Sequence, residues 1–334
     1  MEQNLTFADL GLSEEILQAL EKKGYGYPTR IQAEAIPEFM QWKDVIAKAP
    51  TGTGKTFAFG IPMIEHIDAE SEDLQGLILA PTRELAIQIC DELRGLLTYY
   101  KNIRVAVVYG GAKIEGQIKQ LKNHPQIVVA TPGRLMDHYK RHTLSFDKVQ
   151  TVVLDEADRM LDMGFFDDIM RIVSQLPSER QTIMFSATLP PKIRKLAKEI
   201  MHDPAEVNIA VSKPNEAIEQ SAYVCYENQK MGIVRELFSK PTGTKTIIFS
   251  SSKQKVKELA FSLKRMKMNV APMHSDLKQE QREEVMLDFK NGKIDLLVAT
   301  DIVARGIDIE DIGMVVNYDV PHDPEDYIHR IGRT

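Results

Sequence analysis

Along the chain, short apolar runs rich in valine and isoleucine alternate with stretches whose apolar residues recur every three or four positions. The first kind predicts strands and the second amphipathic helices. In the first half the strand runs read "DVIAKAP", "GLILAP", "RVAVVYGG", "QIVVATP", "TVVLDE" and "QTIMFSAT". Helical stretches such as "TRELAIQICDELRGLL" lie between them. Strands alternating with helices require right-handed crossovers and a parallel sheet covered on both faces.

From Val207 to Ile218 the alternation stops, and "NIAVSKPNEAIEQ" has the polarity and the proline of a linker. It then restarts with "SAYVCYE", "KTIIFSS", "NVAPMHS", "DLLVATD" and "MVVNYD". The pattern predicts an α/β protein of two domains, residues 1–208 and 218–334, joined by a 209–217 linker and facing each other across a cleft. No short repeat of the solenoid kind is present.

Composition narrows the class. The 334 residues are 43 % apolar and 27 % charged, which suits a globular protein with a full core. No apolar run is long enough to span a bilayer, and the start "MEQNLTFADL" is too polar for a signal peptide. Cys90 and Cys225 lie far apart in apolar patterns, as buried thiols of a reducing compartment would, so a cytoplasmic protein without a membrane is expected. The net charge of −6 supplies no global attraction for a polyanion, so any such ligand must be held by local groups.

The first local group is "APTGTGKT", Ala49 to Thr56. It follows a strand run and opens a helical one, with Gly54, Lys55 and Thr56 in the places of a phosphate loop. There backbone N–H groups point at phosphate oxygens, a lysine reaches the outer phosphates and a hydroxyl ligates magnesium. Ala49 stands where the first glycine of that pattern would be, and Gly52 and Gly54 supply the flexible turn. Thr51, Gly52, Thr53, Gly54, Lys55 and Thr56 are the expected nucleotide contacts. The second group is Asp155–Glu156 after "TVVL", at the carboxyl end of a strand, where open α/β sheets bind ligands. One carboxylate there can hold Mg2+ with Thr56 while its neighbour orients the attacking water. The two groups together predict an NTP hydrolase with Lys55, Asp155 and Glu156 in its chemistry.

With these residues in view, the chain resembles the DEAD-box RNA helicases of superfamily 2 from end to end. "DEAD" itself occupies Asp155 to Asp158, and "AxTGxGKT" is that family's own phosphate loop, so Ala49 is no defect. "GYGYPTRIQ", Gly24 to Gln32, resembles the adenine-reading motif, with Phe7 upstream. The resemblance implies that Tyr25 stacks on adenine and Gln32 bonds its edge. "PTRELA", "GG" and "TPGR" resemble the RNA-facing loops, which implies RNA contacts at Pro81, Thr82, Arg83, Gly110, Gly111, Thr131, Pro132, Gly133 and Arg134. Taken singly, each reads as strand-to-helix punctuation. "SAT", Ser186 to Thr188, is implied to couple ATP to strand separation through Asp158; alternatively it caps the helix at "LPPKIRKLAK".

In the second half, "IIFSSS", "QEQR" and "ATDIVARGIDI" resemble the later motifs. They imply RNA contacts near Ser251, Thr300 or Gly243, and Asp308 near the ATP ribose. "HRIGRT" matches the start of the last motif, with His329 and Arg330 in coupling and Arg333 as an arginine finger; the family's second finger has no counterpart before Thr334. A trimmed fragment that binds ATP but hydrolyses it poorly is the expectation.

The family implies two RecA-like domains, each a mostly parallel sheet covered by helices. It also implies a monomer using ATP and Mg2+ to bind single-stranded RNA or short duplex through its backbone and to separate strands, with protein partners unspecified. An RNA clamp with little strand separation is the alternative. His138 and His142, four apart, have a metal-ligand spacing, but without a third ligand a solvated helix face is expected.

Overall fold

The computed structural model describes residues 5–50, 52–209, 218–238, 243–300, 312–321 and 324–332. The chain divides into two compact units, Met1–Val211 and Ser212–Thr334. Each is a parallel sheet between helices, the RecA-like α/β arrangement.

In the first unit seven strands form one parallel sheet: β1 (Val45–Lys48), β2 (Gly76–Leu79), β3 (Val105–Val108), β4 (Ile127–Ala130), β5 (Thr151–Leu154), β6 (Gln181–Ser186) and β7 (Ala205–Asn208). Their spatial order is β3-β4-β2-β5-β6-β1-β7. Period-two alternation sends Ile78, Val129, Val153 and Phe185 into one core and Leu77, Leu79, Val128, Leu154 and Met184 into the other. The first core lies under α1 (Glu14–Lys22), α2 (Arg30–Met40), α3 (Lys55–His66) and α4 (Arg83–Leu96). The second lies under α6 (Pro132–Lys140), α8 (Phe166–Val173) and α9 (Pro191–Ile200). Both faces of the central strands are therefore buried, which is why those strands read as continuous apolar runs.

Two further helices finish the strand ends: α5 (Ile114–Leu121) follows β3, and α7 (Ala157–Asp162) follows β5. Polar anchors at the opposite rim set the register. Gln181 Nε2 donates to the carbonyls of Phe39 and Lys43, and Asp44 accepts the backbone N–H groups of Thr182 and His202. With that register Lys48 lies opposite Ser186, Leu154 opposite Met184, and Leu79 opposite both Leu154 and Ala130. The carboxyl ends of β2, β4 and β5 thus lie level with Met184, and β1 and β6 run two residues further on the same rim.

In the second unit β8 (Lys245–Phe249), β9 (Val270–Met273), β10 (Leu296–Ala299) and β11 (Ile312–Asn317) form a parallel sheet in the order β11-β8-β10-β9. It is flanked by α10 (Lys230–Leu237), α11 (Lys253–Arg265), α12 (Gln279–Lys290) and a closing helix, Pro324–Ile331.

Two sequence expectations need correction. "SAYVCYE" is not a strand: residues 221–226 form no ladder, and Tyr223, Val224 and Tyr226 are exposed. Apolar alternation gives a strand only when a neighbour accepts its hydrogen bonds, and among the described residues none does. Conversely β7 runs into the start of the stretch where the pattern stops. Among the described residues it is an edge strand paired only with β1, and of its four residues only Val207 is buried, so it carries little apolar signal.

Candidate functional site

The phosphate-loop residues sit between β1 and α3. Ala49 is fully buried, takes no left-handed backbone turn, and donates its N–H to Ser186 O at 3.0 Å, so glycine is not needed there. The turn falls on Gly52 and Gly54, with φ of +82° and +89°. At Gly54 a side chain is also excluded by space, because a methyl group would collide with the Gln32 amide. Thr53 Oγ1 donates to Pro50 O at 2.8 Å and closes the loop. Thr51 lies outside the described residues.

Lys55 begins α3 and its side chain is only 7 % exposed. Its ammonium has no hydrogen-bond partner among the described residues, and Asp155 Oδ1 lies 3.8 Å away. A buried, unsatisfied ammonium is costly, so this one is poised for an anion. Thr56, next on α3, is half-buried.

Asp155 is buried at the end of β5, and its pKa is pushed up to about 6, chiefly by burial, with Glu156 adding to the rise and Lys55 opposing it. Glu156 has φ +50° and ψ +51°, a left-handed conformation that costs a non-glycine residue about 1 kcal/mol. That turn lets its N–H donate to Asp155 Oδ1 at 2.9 Å, and its carboxylate accepts from Arg159 Nη1 at 3.0 Å. Sequence reading passed over Arg159, although its place three residues along α7 was the available signal.

Asp158 joins this strand end to the next. Its Oδ2 accepts from both the N–H and the hydroxyl of Thr188, and its own N–H donates to Ser186 Oγ at 3.3 Å. Thr188 does not cap α9, whose N-cap is Pro190.

Gln32 is buried in α2, with Oε1 accepting from Thr29 N at 2.9 Å and Nε2 donating to Gly54 O at 3.0 Å. It therefore holds the phosphate loop as well as its own helix start. Tyr25 is half exposed with its ring edge-on to Phe57, and Phe7 lies in the core.

The second group of loops follows β2, β3 and β4. Thr82 caps α4, its hydroxyl accepting from Leu85 N at 3.3 Å, after Pro81. The Arg83 guanidinium covers Gly111, whose φ of +86° and crowded α-carbon exclude a side chain. Gly110 N donates to Thr131 Oγ1 at 3.4 Å, Thr131 is the N-cap of α6, and Pro132 and Gly133 form its first turn. Arg134 Nη1 donates to Ala112 O at 3.1 Å and to Gln117 Oε1 at 3.2 Å.

The sheet order sorts these groups. The phosphate loop, Asp155–Asp158 and Ser186–Thr188 follow the adjacent strands β1, β5 and β6, whereas Arg83, Gly110–Gly111 and Thr131–Arg134 follow the adjacent strands β2, β3 and β4.

In the second unit Asp319 organises the end of β8. Its Oδ2 accepts from the Ser250 hydroxyl and from the N–H and hydroxyl of Ser251, while its Oδ1 accepts from Lys230 and Lys255, each at 2.9 Å. Burial alone would raise the Asp319 pKa, but these donors hold the carboxyl well below the usual range. Arg330 is buried, donates to Asn317 Oδ1 at 2.8 Å and to Asp319 O at 2.6 Å, and lies over the Phe249 ring. Thr300 is half-buried after β10, and Gly243 has φ +67°. Asp308 and Arg333 lie outside the described residues, as does the side chain of His329.

Of the two histidines and the two thiols, one of each differs from expectation, while His142 is exposed as expected. His138 is fully buried rather than solvated, because Gln117 and Thr143 satisfy both ring nitrogens, and among the described residues no group of three metal-ligating side chains occurs. Cys90 is buried, with its pKa pushed up to about 11 by burial, whereas Cys225 is only half-buried because its segment is not a strand.

A glycine-turned loop under an unsatisfied lysine, beside an acidic pair on a parallel sheet, defines the class of P-loop α/β proteins. Within it the chain belongs to the DEAD/DEAH box helicase family, whose model matches residues 29–196; the helicase conserved C-terminal domain matches residues 229–334. It is 47 % identical over 331 residues to the ATP-dependent RNA helicase CshA of Limosilactobacillus reuteri, covering 99 % of this chain and 66 % of that protein. It is 47 % identical to the DEAD-box ATP-dependent RNA helicase CshA of Geobacillus kaustophilus, covering 98 % of this chain and 70 % of that one. The chain thus spans about two thirds of the length of the curated relatives it matches. Among solved structures, S. cerevisiae Dbp5 bound to RNA and ADP BeF3 superposes with a TM-score of 0.88 at 33 % identity, covering 98 % of this chain and 86 % of that one.

Proposed function

We propose that this chain is an ATP-dependent RNA helicase that hydrolyses ATP to ADP and phosphate and locally separates short RNA duplexes. The observation that carries the reading is the buried, unsatisfied Lys55 ammonium 3.8 Å from Asp155, in a chain of the DEAD/DEAH box family. Lys55 and the amides of the Gly52–Gly54 turn would hold the outer phosphates, and Gln32 and Tyr25 the adenine. The all-oxygen pair Thr56 and Asp155 suits Mg2+, which when bound would neutralise phosphate charge. Glu156 would orient the attacking water and accept its proton. Arg83, Thr131 and the Gly110–Gly111 amides would meet the RNA backbone without reading bases, with Ser251 and Thr300 serving from the second unit. ATP and RNA binding across both units would close a cleft, with Asp158 and Thr188 transmitting the change.

The chain is read as a cytoplasmic monomer, and among the described residues no helix is long and apolar enough to cross a membrane. The test is ATPase activity with and without RNA beside a Lys55→Ala control, together with displacement of a labelled strand from a short duplex. RNA-stimulated hydrolysis lost in Lys55→Ala, with displacement, is the expected result. Hydrolysis indifferent to RNA overturns the reading, and stimulation without displacement replaces the helicase with the RNA clamp.

A further inference from the structure

Arg134, expected among the RNA contacts, is turned largely into the protein: its side chain is 14 % exposed, with Asp137 3.9 Å from its Nε. Its guanidinium bonds Ala112 O, the carbonyl just after the Gly110–Gly111 turn. The carbonyl just before that turn, Tyr109 O, accepts from Gln117 Nε2 at 2.9 Å. The turn is therefore gripped on both flanks by side chains from two different helices, α5 and α6.

The two grips are joined underneath. Gln117 is buried, and its Oε1 lies 3.2 Å from Arg134 Nη1 and 3.0 Å from His138 Nε2. Because Gln117 commits its nitrogen to a carbonyl, its oxygen can only accept, so Arg134 and His138 must both donate to it. Neutral His138 must then carry its proton on Nε2, leaving Nδ1 as an acceptor 2.8 Å from Thr143 Oγ1, whose single proton is shared between Nδ1 and the His138 carbonyl at 3.0 Å. A buried amide satisfied in this way has one arrangement, and any other strands a donor or acceptor away from water.

We propose that Gln117 and His138 are positioning residues for RNA binding: through Arg134 and the two carbonyls they hold the Gly110–Gly111 turn, and with it the Arg83 and Thr131 groups packed on that turn, in the shape that accepts a phosphodiester backbone. This rests on the RNA-binding reading above. Neither residue touches the ligand. Both lie on the β3-β4-β2 half of the rim, so the effect is confined to RNA and leaves the phosphate loop alone.

The test measures, on the whole chain, binding of a short labelled oligouridine with a non-hydrolysable ATP analogue, and separately binding of a fluorescent nucleotide. Gln117→Met, close in shape but without either hydrogen bond, is expected to weaken oligouridine binding about tenfold while nucleotide affinity stays at the wild-type value. Gln117→Glu keeps the acceptor for Arg134 and His138 and is expected to fall between the two. Thr143→Val removes the partner of His138 Nδ1 together with the hydroxyl's bond to the His138 carbonyl, and is expected to cost about threefold, again on RNA alone; it carries the test should Gln117→Met fail to fold. Oligouridine binding at the wild-type level in the folded variants, or nucleotide affinity falling in step with it, overturns the proposal as a merely structural cluster would. Failure of the wild-type chain to bind oligouridine overturns the RNA reading instead.

Discussion

Thr188 donates both its backbone N–H and its hydroxyl to one oxygen of Asp158, each at 2.9 Å, and so fastens the end of β6 to the end of β5. Thr188→Val keeps shape and backbone but removes one of those two bonds. The residues proposed to hold phosphate and Mg2+ are untouched, so ATP hydrolysis should change little while strand displacement falls about tenfold. The ratio of displaced strands to ATP consumed is the quantity to follow; an unchanged ratio removes Thr188 from coupling.

Glu156→Gln should bind ATP and RNA normally yet turn over about a hundredfold more slowly, because Lys55 and Asp155 keep their places and only water orientation is lost. Glutamine can still accept from Arg159, so the variant should fold. Single-turnover hydrolysis at the wild-type rate would exclude Glu156 from the chemical step.

Gln32→Glu retains the acceptor for Thr29 N–H but loses the donor to Gly54 O and sets a carboxylate beside that carbonyl. Nucleotide affinity should fall about tenfold or more, and any preference for ATP over GTP should shrink with it. Calorimetric titration of both nucleotides against both chains is the check. Equal preference in wild type and variant would leave Gln32 as a loop support only.

The depressed pKa of Asp319 has a definite sign in stability. The folded carboxyl binds its proton less readily than the unfolded one, so stability from this group is complete above the unfolded value of about 4 and is lost as pH falls through the range below it. The melting temperature of Asp319→Asn should therefore lie below wild type at pH 7, with a smaller gap at pH 3. A gap of the same size at both pH values would show that the charge on Asp319 does not matter.

Much of the site was legible because each motif is local. Lys55, Asp155 and Ser186 all follow apolar strand runs, and a parallel sheet delivers such positions to one rim whatever the strand order. What the sequence withheld were partners distant along the chain. Asp319 meets Ser251 across sixty-eight positions and Gln117 meets His138 across twenty-one, with no spacing rule to announce either. Solvent exposure was misjudged for the same reason: His138 reads as a surface residue on its own helix and is buried only because α5 brings Gln117 against it. Residues 221–226 failed the other way, having the alternation of a strand but no ladder.

In the strand order β3-β4-β2-β5-β6-β1, the phosphate-loop strand and the Gly110–Gly111 strand are five places apart, a distance of about 24 Å. That is about three screening lengths at physiological salt. Charges that appear or vanish at one end of the rim are therefore nearly imperceptible through solvent at the other. Whatever passes between the two ends within this unit must go through the sheet itself, strand by strand, so the stiffness of the sheet bears on how much of it arrives.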